Sequence, residues 1–380
     1  MLLTIIVFVL ILGVLIFVHE CGHFLTAKRN GIKADEFGFG FPPRIFGFYK
    51  NEKTGKYEFV PGSREVESKN TVYSVNWLPL GGFVKIKGEN GEGKDEEDSF
   101  ASKSAWKRTK VLAAGVVMNF VLAWILISIG FMIGAPQEVT AGMHPASSKI
   151  QITAVAPNSP AAAANLQAGD EVLKNQTSPT GQTVSLRDVT SLQNYIDANK
   201  GQLVDLEIKR GATMMDIKVT PRMNPPQDQG ALGIELTETT IVGYPWYRSI
   251  WMGVTTTVNL TWAILVAFGG IIASLFAGKG VGADVAGPIG IYTLTGQVTA
   301  MGLVYVLQFA ALLSINLGII NILPIPALDG GRILFVIIEK IKGSPVSQKL
   351  EQTFHTVGFV LLILLLVLIS FHDVMTRLIK

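Results

Sequence analysis

His19, Glu20, Cys21, Gly22 and His23 close an uncharged, strongly apolar stretch that begins at the first residue. Positions four apart on an α-helix share a face, so both imidazoles can coordinate one Zn²⁺ while the glutamate between them reaches the water the metal activates. The spacing supplies two ligands and a base, which is the equipment of metal-assisted hydrolysis. A chance pair of surface histidines would explain the letters but not their setting. Ionisable groups are costly at membrane depth, and a helix that carries three of them is best explained by a task done there.

Two histidines leave a catalytic zinc site short of its usual three protein ligands. Downstream candidates are few: His144 falls in a polar region, while His355 and His372 lie near the ends of the last apolar block without local context for a ligand. Asp329 differs, because it sits in NILPIPALDGG, from Asn321 to Gly331, directly after an apolar block. Pro324, Pro326, Gly330 and Gly331 cannot sustain a regular helix, and broken backbone at membrane depth is tolerated mainly where it lines a protein-filled or watery cavity. Asp329 could instead only cap the helix expected from Gly331 to Lys342. That explains the aspartate but leaves the zinc one ligand short.

The elements that must hold these residues are membrane spans. The chain has 380 residues, 49% of them hydrophobic, with a mean hydropathy of +0.40. Much of the excess lies in residues 2–18, 111–133, 303–323 and 356–371. Each approaches or reaches the roughly 17–25 residues that cross a ~30 Å hydrocarbon layer, which predicts four spans. The first lacks a basic leader and a small-residue cleavage site, so it is expected to be retained. Lys28 and Arg29 follow the first span, and Lys103, Lys107, Arg108 and Lys110 precede the second, placing residues 26–108 in the cytoplasm and the segment after the second span outside. A further apolar stretch, Trp251 to Ala277, would reverse the later orientation if it crossed. It is therefore expected to lie on or dip into the outer face as an interfacial or re-entrant helix, anchored by Trp246, Tyr247, Trp251 and Trp262. A net charge of +3 without a basic, aromatic-interleaved patch argues against nucleic acid. Cys21, the single cysteine, excludes an internal disulfide and a zinc-thiolate cluster.

Between about 136 and 224 the composition becomes that of a water-soluble domain. Ile150 to Asn175 reads as a strand, a short helix, a turn at Gly169 and Asp170, and a strand; Asp188 to Asn199 reads as a helix; Leu203 to Pro221 reads as a hairpin turning at Arg210, Gly211 and Ala212. Tyr73 to Lys87 holds two apolar-alternating runs joined around Pro79 to Gly82, a second hairpin. An exposed strand edge in lipid is unstable unless another chain pairs with it. An ordinary cytoplasmic hairpin is the competing reading.

These motifs together resemble the site-2 protease family of intramembrane zinc metalloproteases, most nearly its bacterial regulator-of-sigma-E type, and the resemblance spans nearly the whole chain. The resemblance implies zinc ligands at His19, His23 and Asp329, with Glu20 as the catalytic base. The insert resembles a bacterial PDZ domain, with Asn165 where glycine is common. The stretch from Gly81 to Glu89, GGFVKIKGE, resembles the family's membrane-dipping hairpin, so that Gly81, Gly82, Phe83 and Val84 would meet substrate; GPIGI at Gly287 to Ile291 also matches. Asn321 matches an intramembrane asparagine that contacts the substrate backbone. Three departures stand out: Cys21 replaces a phenylalanine, Val116 a proline in the stretch ending at Asn119, and Arg332 a histidine.

The expected fold is a polytopic α-helical membrane protein with about four transmembrane helices, a membrane-associated β-hairpin and one inserted PDZ-like α+β domain. Residues 1–134 and 303–380 would form the catalytic core, 135–224 the PDZ-like domain on the extracytoplasmic side of a bacterial cytoplasmic membrane, and 225–302 a linker. The expected partners are the lipid bilayer and single-pass membrane substrates, such as a pre-cleaved anti-sigma factor or remnant signal peptides. A metal-ion transporter and an inactive PDZ scaffold are the alternatives. The sequence shows no inverted repeat, and transport does not require the Glu20 carboxylate.

Overall fold

The computed structural model describes residues 1–64, 66, 68–138, 148–173, 175–177, 183–186, 188–211, 213–226, 229–278, 287–344 and 346–377. His144 lies outside the described residues. The chain forms two compact units, one of residues 1–128, 250–295 and 307–380 and one of residues 129–249 and 296–306.

In the first unit α1 (Leu2–Arg29) is an unbroken helix. At 1.5 Å per residue its 28 residues reach ~42 Å, more than a hydrocarbon layer needs. Lys28 and Arg29 in the last turn complement the helix dipole, and Asn30 Nδ2 closes the end by donating to the Thr26 carbonyl at 2.8 Å. The chain then runs through β1 (Ala34–Lys50), β2 (Tyr57–Pro61) and β3 (Val72–Ile86), a sheet of order β2-β1-β3. The two runs within Tyr73 to Lys87 do not form the expected hairpin. Phe37 of β1 faces Val84 on one side and Tyr73 on the other, and Gly38 likewise faces Phe83 and Ser74. The cause is the alternation in EFGFGF of β1, whose first half fills the gap between the two arms of a bent β3. Val84 turns onto the cluster of Phe24, Ala34 and Phe37, and the Phe24 and Phe37 rings stack at 4.5 Å. The sheet is thereby fixed against α1. α2 (Ala105–Ile133) follows after a loop in which Lys87 contacts Asp98 at 2.7 Å as well as Glu96. These carboxylates push its amine up to about 12.

The second unit is built on a six-stranded sheet. Its strands are β4 (Ala135–Glu138), β5 (Lys149–Val155), β6 (Glu171–Val172), β9 (Val204–Arg210), β10 (Thr213–Val219) and β11 (Ile234–Val242), in the order β10-β9-β6-β5-β11-β4. A separate pair is made by β7 (Asn175–Thr177) and β8 (Thr183–Ser185), and the helices are α3 (Pro160–Ala163) and α4 (Val189–Ala198). Ile150, Ile152, Leu192, Leu206, Ile208 and Leu232 form its core, each contributing ~1.5–3 kcal/mol by burial. Strand, short helix, turn, strand, helix and hairpin occur where the sequence placed them. β11 falls within the expected linker of residues 225–302, yet it lies between β5 and β4. Its run of threonines and glutamates blurs the apolar alternation that marks a strand. Asn165 adopts a left-handed φ of 59°, a conformation asparagine tolerates better than most residues, which accounts for its standing at a glycine position.

The remaining helices are α5 (Trp246–Phe276), α6 (Pro288–Met301), α7 (Leu303–Ile322), α8 (Asp329–Lys342) and α9 (Gln348–Arg377). Among the described residues five helices, α1, α2, α5, α7 and α9, are long and apolar enough to cross a membrane, one more than the four expected spans. α5 runs unbroken over 31 residues. Arg108 on α2 meets Glu339 on α8 at 2.5 Å, and Arg332 at the start of α8 pairs with Glu89 just beyond β3. Arg332, one of the three departures, thus has a partner of its own.

Candidate metal centre

α1 presents His19 and His23 on one buried face, as their spacing required. α2 crosses that face closely. A Cβ on Gly22 would come within 2.4 Å of the Ala114 carbonyl oxygen, and one on Gly115 within 2.4 Å of His23 Nε2. α7 ends at Ile322, and the segment 323–328 leads into α8, whose first residue is Asp329. The cap of α8 is Leu328, without a side-chain cap hydrogen bond. The carboxylate of Asp329 is spent elsewhere: its Oδ2 lies 3.0 Å from His19 Nε2 and 3.3 Å from His23 Nε2. The two Nε2 atoms are 3.1 Å apart.

The remaining hydrogen bonds decide what these three atoms can hold. His23 Nδ1 faces the Val111 carbonyl at 2.9 Å and donates to it, leaving Nε2 as a bare lone pair. His19 Nδ1 lies 3.1 Å from the side-chain amide of Asn119, whose Oδ1 is buried and otherwise lacks a partner. With the amide turned so that Oδ1 accepts from Nδ1–H, this histidine too offers a bare Nε2. Two lone pairs and a carboxylate oxygen then converge with no proton between them, a repulsive arrangement unless a cation sits at the centre. Separations of 3.0, 3.1 and 3.3 Å approximate the ~3.3 Å edges of a tetrahedron with ~2.0–2.1 Å bonds to zinc. Among the described residues these three form a group that could hold a metal ion. Two imidazoles, one carboxylate and an open fourth position fit a catalytic zinc.

A family model described as peptidase family M50 matches residues 7–365. The chain belongs to peptidase family M50. This M50 chain is 31% identical to the regulator of sigma-W protease RasP of Bacillus subtilis, with 98% of each covered. It is 33% identical to a putative zinc metalloprotease of Clostridium perfringens, with 95% of each covered, and 31% identical to one of Fusobacterium nucleatum, with 98% of each covered. It is a zinc metalloprotease of the site-2 type, with several long apolar helices consistent with a multi-pass membrane protein and with β-sheets.

A cavity of about 260 Å³ opens on the M50 metal centre, lined by Ile16, His19, Glu20, Leu317, Asn321, Ala327, Leu328 and Asp329. The structure thus brings Glu20 and Asn321 to one space with two of the three converging side chains. Gly81, Gly82, Phe83 and Val84 do not line that cavity. They run alongside it on α1: Gly81, at φ 91°, rests on Ile16, where a Cβ would come within 2.5 Å of the Ile16 Cβ. That contact is one helical turn before Glu20.

In the M50 site Asn119 ends the family-like stretch whose proline is replaced by Val116, while Gly115 carries no expectation from sequence. Asn119 is fully buried, and its backbone carbonyl accepts from Ser314 Oγ on α7 at 2.8 Å. The spacing of glycine and asparagine four apart on an apolar helix was the available signal, but it resembles ordinary helix packing. Substituting Asn119→Leu removes the oxygen that orients His19, so zinc affinity is expected to fall ~10–100-fold, as titration against a competing chelator would read.

Proposed function

We propose that this M50 chain is an intramembrane zinc endopeptidase that cuts single-pass membrane proteins in or beside their transmembrane helix, with His19, His23 and Asp329 as zinc ligands and Glu20 as general base. One observation carries the reading: two bare imidazole nitrogens and a carboxylate meet within 4.8 Å in an apolar helical setting, beside a cavity that Glu20 also lines. Zinc bound there supplies Lewis-acid activation of water and of the scissile carbonyl. Glu20 removes a proton from the attacking water and returns it to the departing amine nitrogen. Asn321, on the same cavity wall, holds the substrate backbone.

The margin of β3 presents the substrate. Its second half, Gly82 to Ile86, pairs with β1 on one side, which leaves the other edge for an unwound stretch of substrate helix to join as a strand. The expected result of Val84→Pro is a ~10-fold loss of cleavage from missing main-chain hydrogen bonds. Bound zinc should stay as it was, while the unfolding temperature falls somewhat because Val84 also packs on Phe24 and Phe37; unimpaired cleavage of a membrane substrate would remove the strand from the mechanism.

The membrane is the bacterial cytoplasmic membrane, with residues 135–224 as a PDZ-like module outside it that screens substrates. With residues 26–108 inside, α2 emerges outside, and α7 must descend from outside to bring Asp329 to the depth of His19. The segment between them therefore begins and ends outside. α6 has 14 residues, ~21 Å, too short to return a chain that crossed at α5. α5 accordingly lies in the outer interface, where Trp246, Trp251 and Trp262 are exposed. The substrate class is anti-sigma factors already trimmed outside, together with remnant signal peptides; support comes from the family resemblance and from a relative that is a regulator of sigma-W protease. The test is Glu20→Gln, measured for bound zinc, for cleavage of a single-pass substrate and for metal flux in vesicles.

A further inference from the structure

α9 turns almost all of its length outward; among its described residues only Gly358 and Asp373 are fully buried. One of these two points of attachment falls on the segment that carries Asp329. Pro326 sits against Gly358 so closely that a Cβ there would come within 1.9 Å of the Pro326 Cβ. Three residues earlier, His355 Nδ1 accepts the backbone N–H of Ala327 at 2.9 Å. A Cβ at Gly331 would stand 3.3 Å from His355 Cε1, and the imidazole lies 5.8 Å from the Phe335 ring and 5.6 Å from that of Phe354. His355 therefore touches the chain on both sides of Asp329, two residues before it and two residues after.

Ala327 needs such a hold. Its φ of 66° is left-handed, a conformation an alanine keeps only where the surroundings impose it. An imidazole whose Nδ1 accepts carries its proton on Nε2, so His355 holds the backbone and is not itself a ligand in this arrangement. Ala327 and Leu328 also line the cavity beside the metal centre, so fixing this turn shapes the cavity and aims the carboxylate at once.

We infer that His355 is a positioning residue: by holding Ala327 in its left-handed turn it directs the Asp329 carboxylate toward His19 and His23. The inference rests on the reading of Asp329 as a zinc ligand. The experiment compares the full-length protein with His355→Asn, which can place Oδ1 where Nδ1 stood, with His355→Gln, which cannot, and with His355→Leu, which offers no acceptor. Zinc affinity is measured by chelator competition. His355→Leu and His355→Gln are expected to bind zinc ~10-fold more weakly, the size seen when an outer partner of a metal ligand is lost, and His355→Asn to stay within about threefold of the parent. Adding Ala327→Gly to His355→Gln should recover part of the loss, because glycine holds a left-handed turn unaided. If His355→Leu fails to fold, the Asn and Gln pair still decides. Equal zinc affinity in those two variants, or parent-like affinity in His355→Gln, overturns the inference. Asp329→Ala and His19→Ala separate the two levels: if they keep zinc, the ligand assignment itself fails; if they lose it while His355→Gln does not, only the role of His355 fails.

Discussion

Glu20→Gln should leave zinc bound and slow peptide-bond cleavage by ~10²–10⁴-fold, the usual worth of a positioned general base. The change is nearly isosteric and leaves the three converging side chains untouched, since the metal-competent group consists of His19, His23 and Asp329 without Glu20. What is lost is proton affinity: an amide oxygen can hold a water by a hydrogen bond but cannot accept its proton. Zinc content by elemental analysis and cleavage of a single-pass substrate in detergent or vesicles read the two properties separately. Undiminished proteolysis with zinc in place would defeat the assignment. Metal flux that survives in vesicles would favour a transporter, in which the carboxylate has no proton to move.

Gly115→Ala is expected to weaken zinc affinity ~100-fold or more, so that the variant stays essentially empty at free zinc near the parent's own Kd. The added methyl would stand 2.4 Å from His23 Nε2 and 2.8 Å from His19 Cε1. Neither ring can withdraw, because His23 is held to the Val111 carbonyl and His19 to Asn119. Helix propensity pulls the other way, for alanine in a helix interior is favoured over glycine by ~1 kcal/mol. A variant with unchanged or increased helicity and no zinc therefore separates close approach at the site from any effect on the helix. Zinc bound normally by Gly115→Ala would mean that α2 does not press on the histidines as described.

How far the site could be read from sequence depended on the distance over which its parts are encoded. His19 and His23 share one helix turn, so local periodicity alone aligns them. Asp329 was legible because Pro324, Pro326 and the glycine pair announce a break in an apolar run, and a break in a membrane needs a reason. Asn119 and Gly115 carry no such punctuation inside α2; their importance arises only when α2 crosses α1, and single-sequence periodicity does not encode which helices cross. The β domain shows the same division. The two apolar runs of β3 were visible, but their mutual pairing was inferred from adjacency, and the intervening first half of β1 comes from residues 34–39, earlier in the chain. β11 escaped because the polar run from Thr237 to Thr240 interrupts the alternation of its few aliphatics. His355 has no local context in the sequence, and its hydrogen bond goes to the Ala327 backbone, a use that leaves no trace in residue type.

The converging side chains at 19 and 329 are separated by 310 positions of one polypeptide. At ~5–20 residues per second, a ribosome takes about 15–60 s to travel between them. During that interval the first helix carries only two of the three side chains that converge in the finished site. A half-made copy therefore lacks the complete metal-competent group, which exists only once the late carboxylate has arrived. The order in which the parts are made thus delays the completed site until the late segment exists.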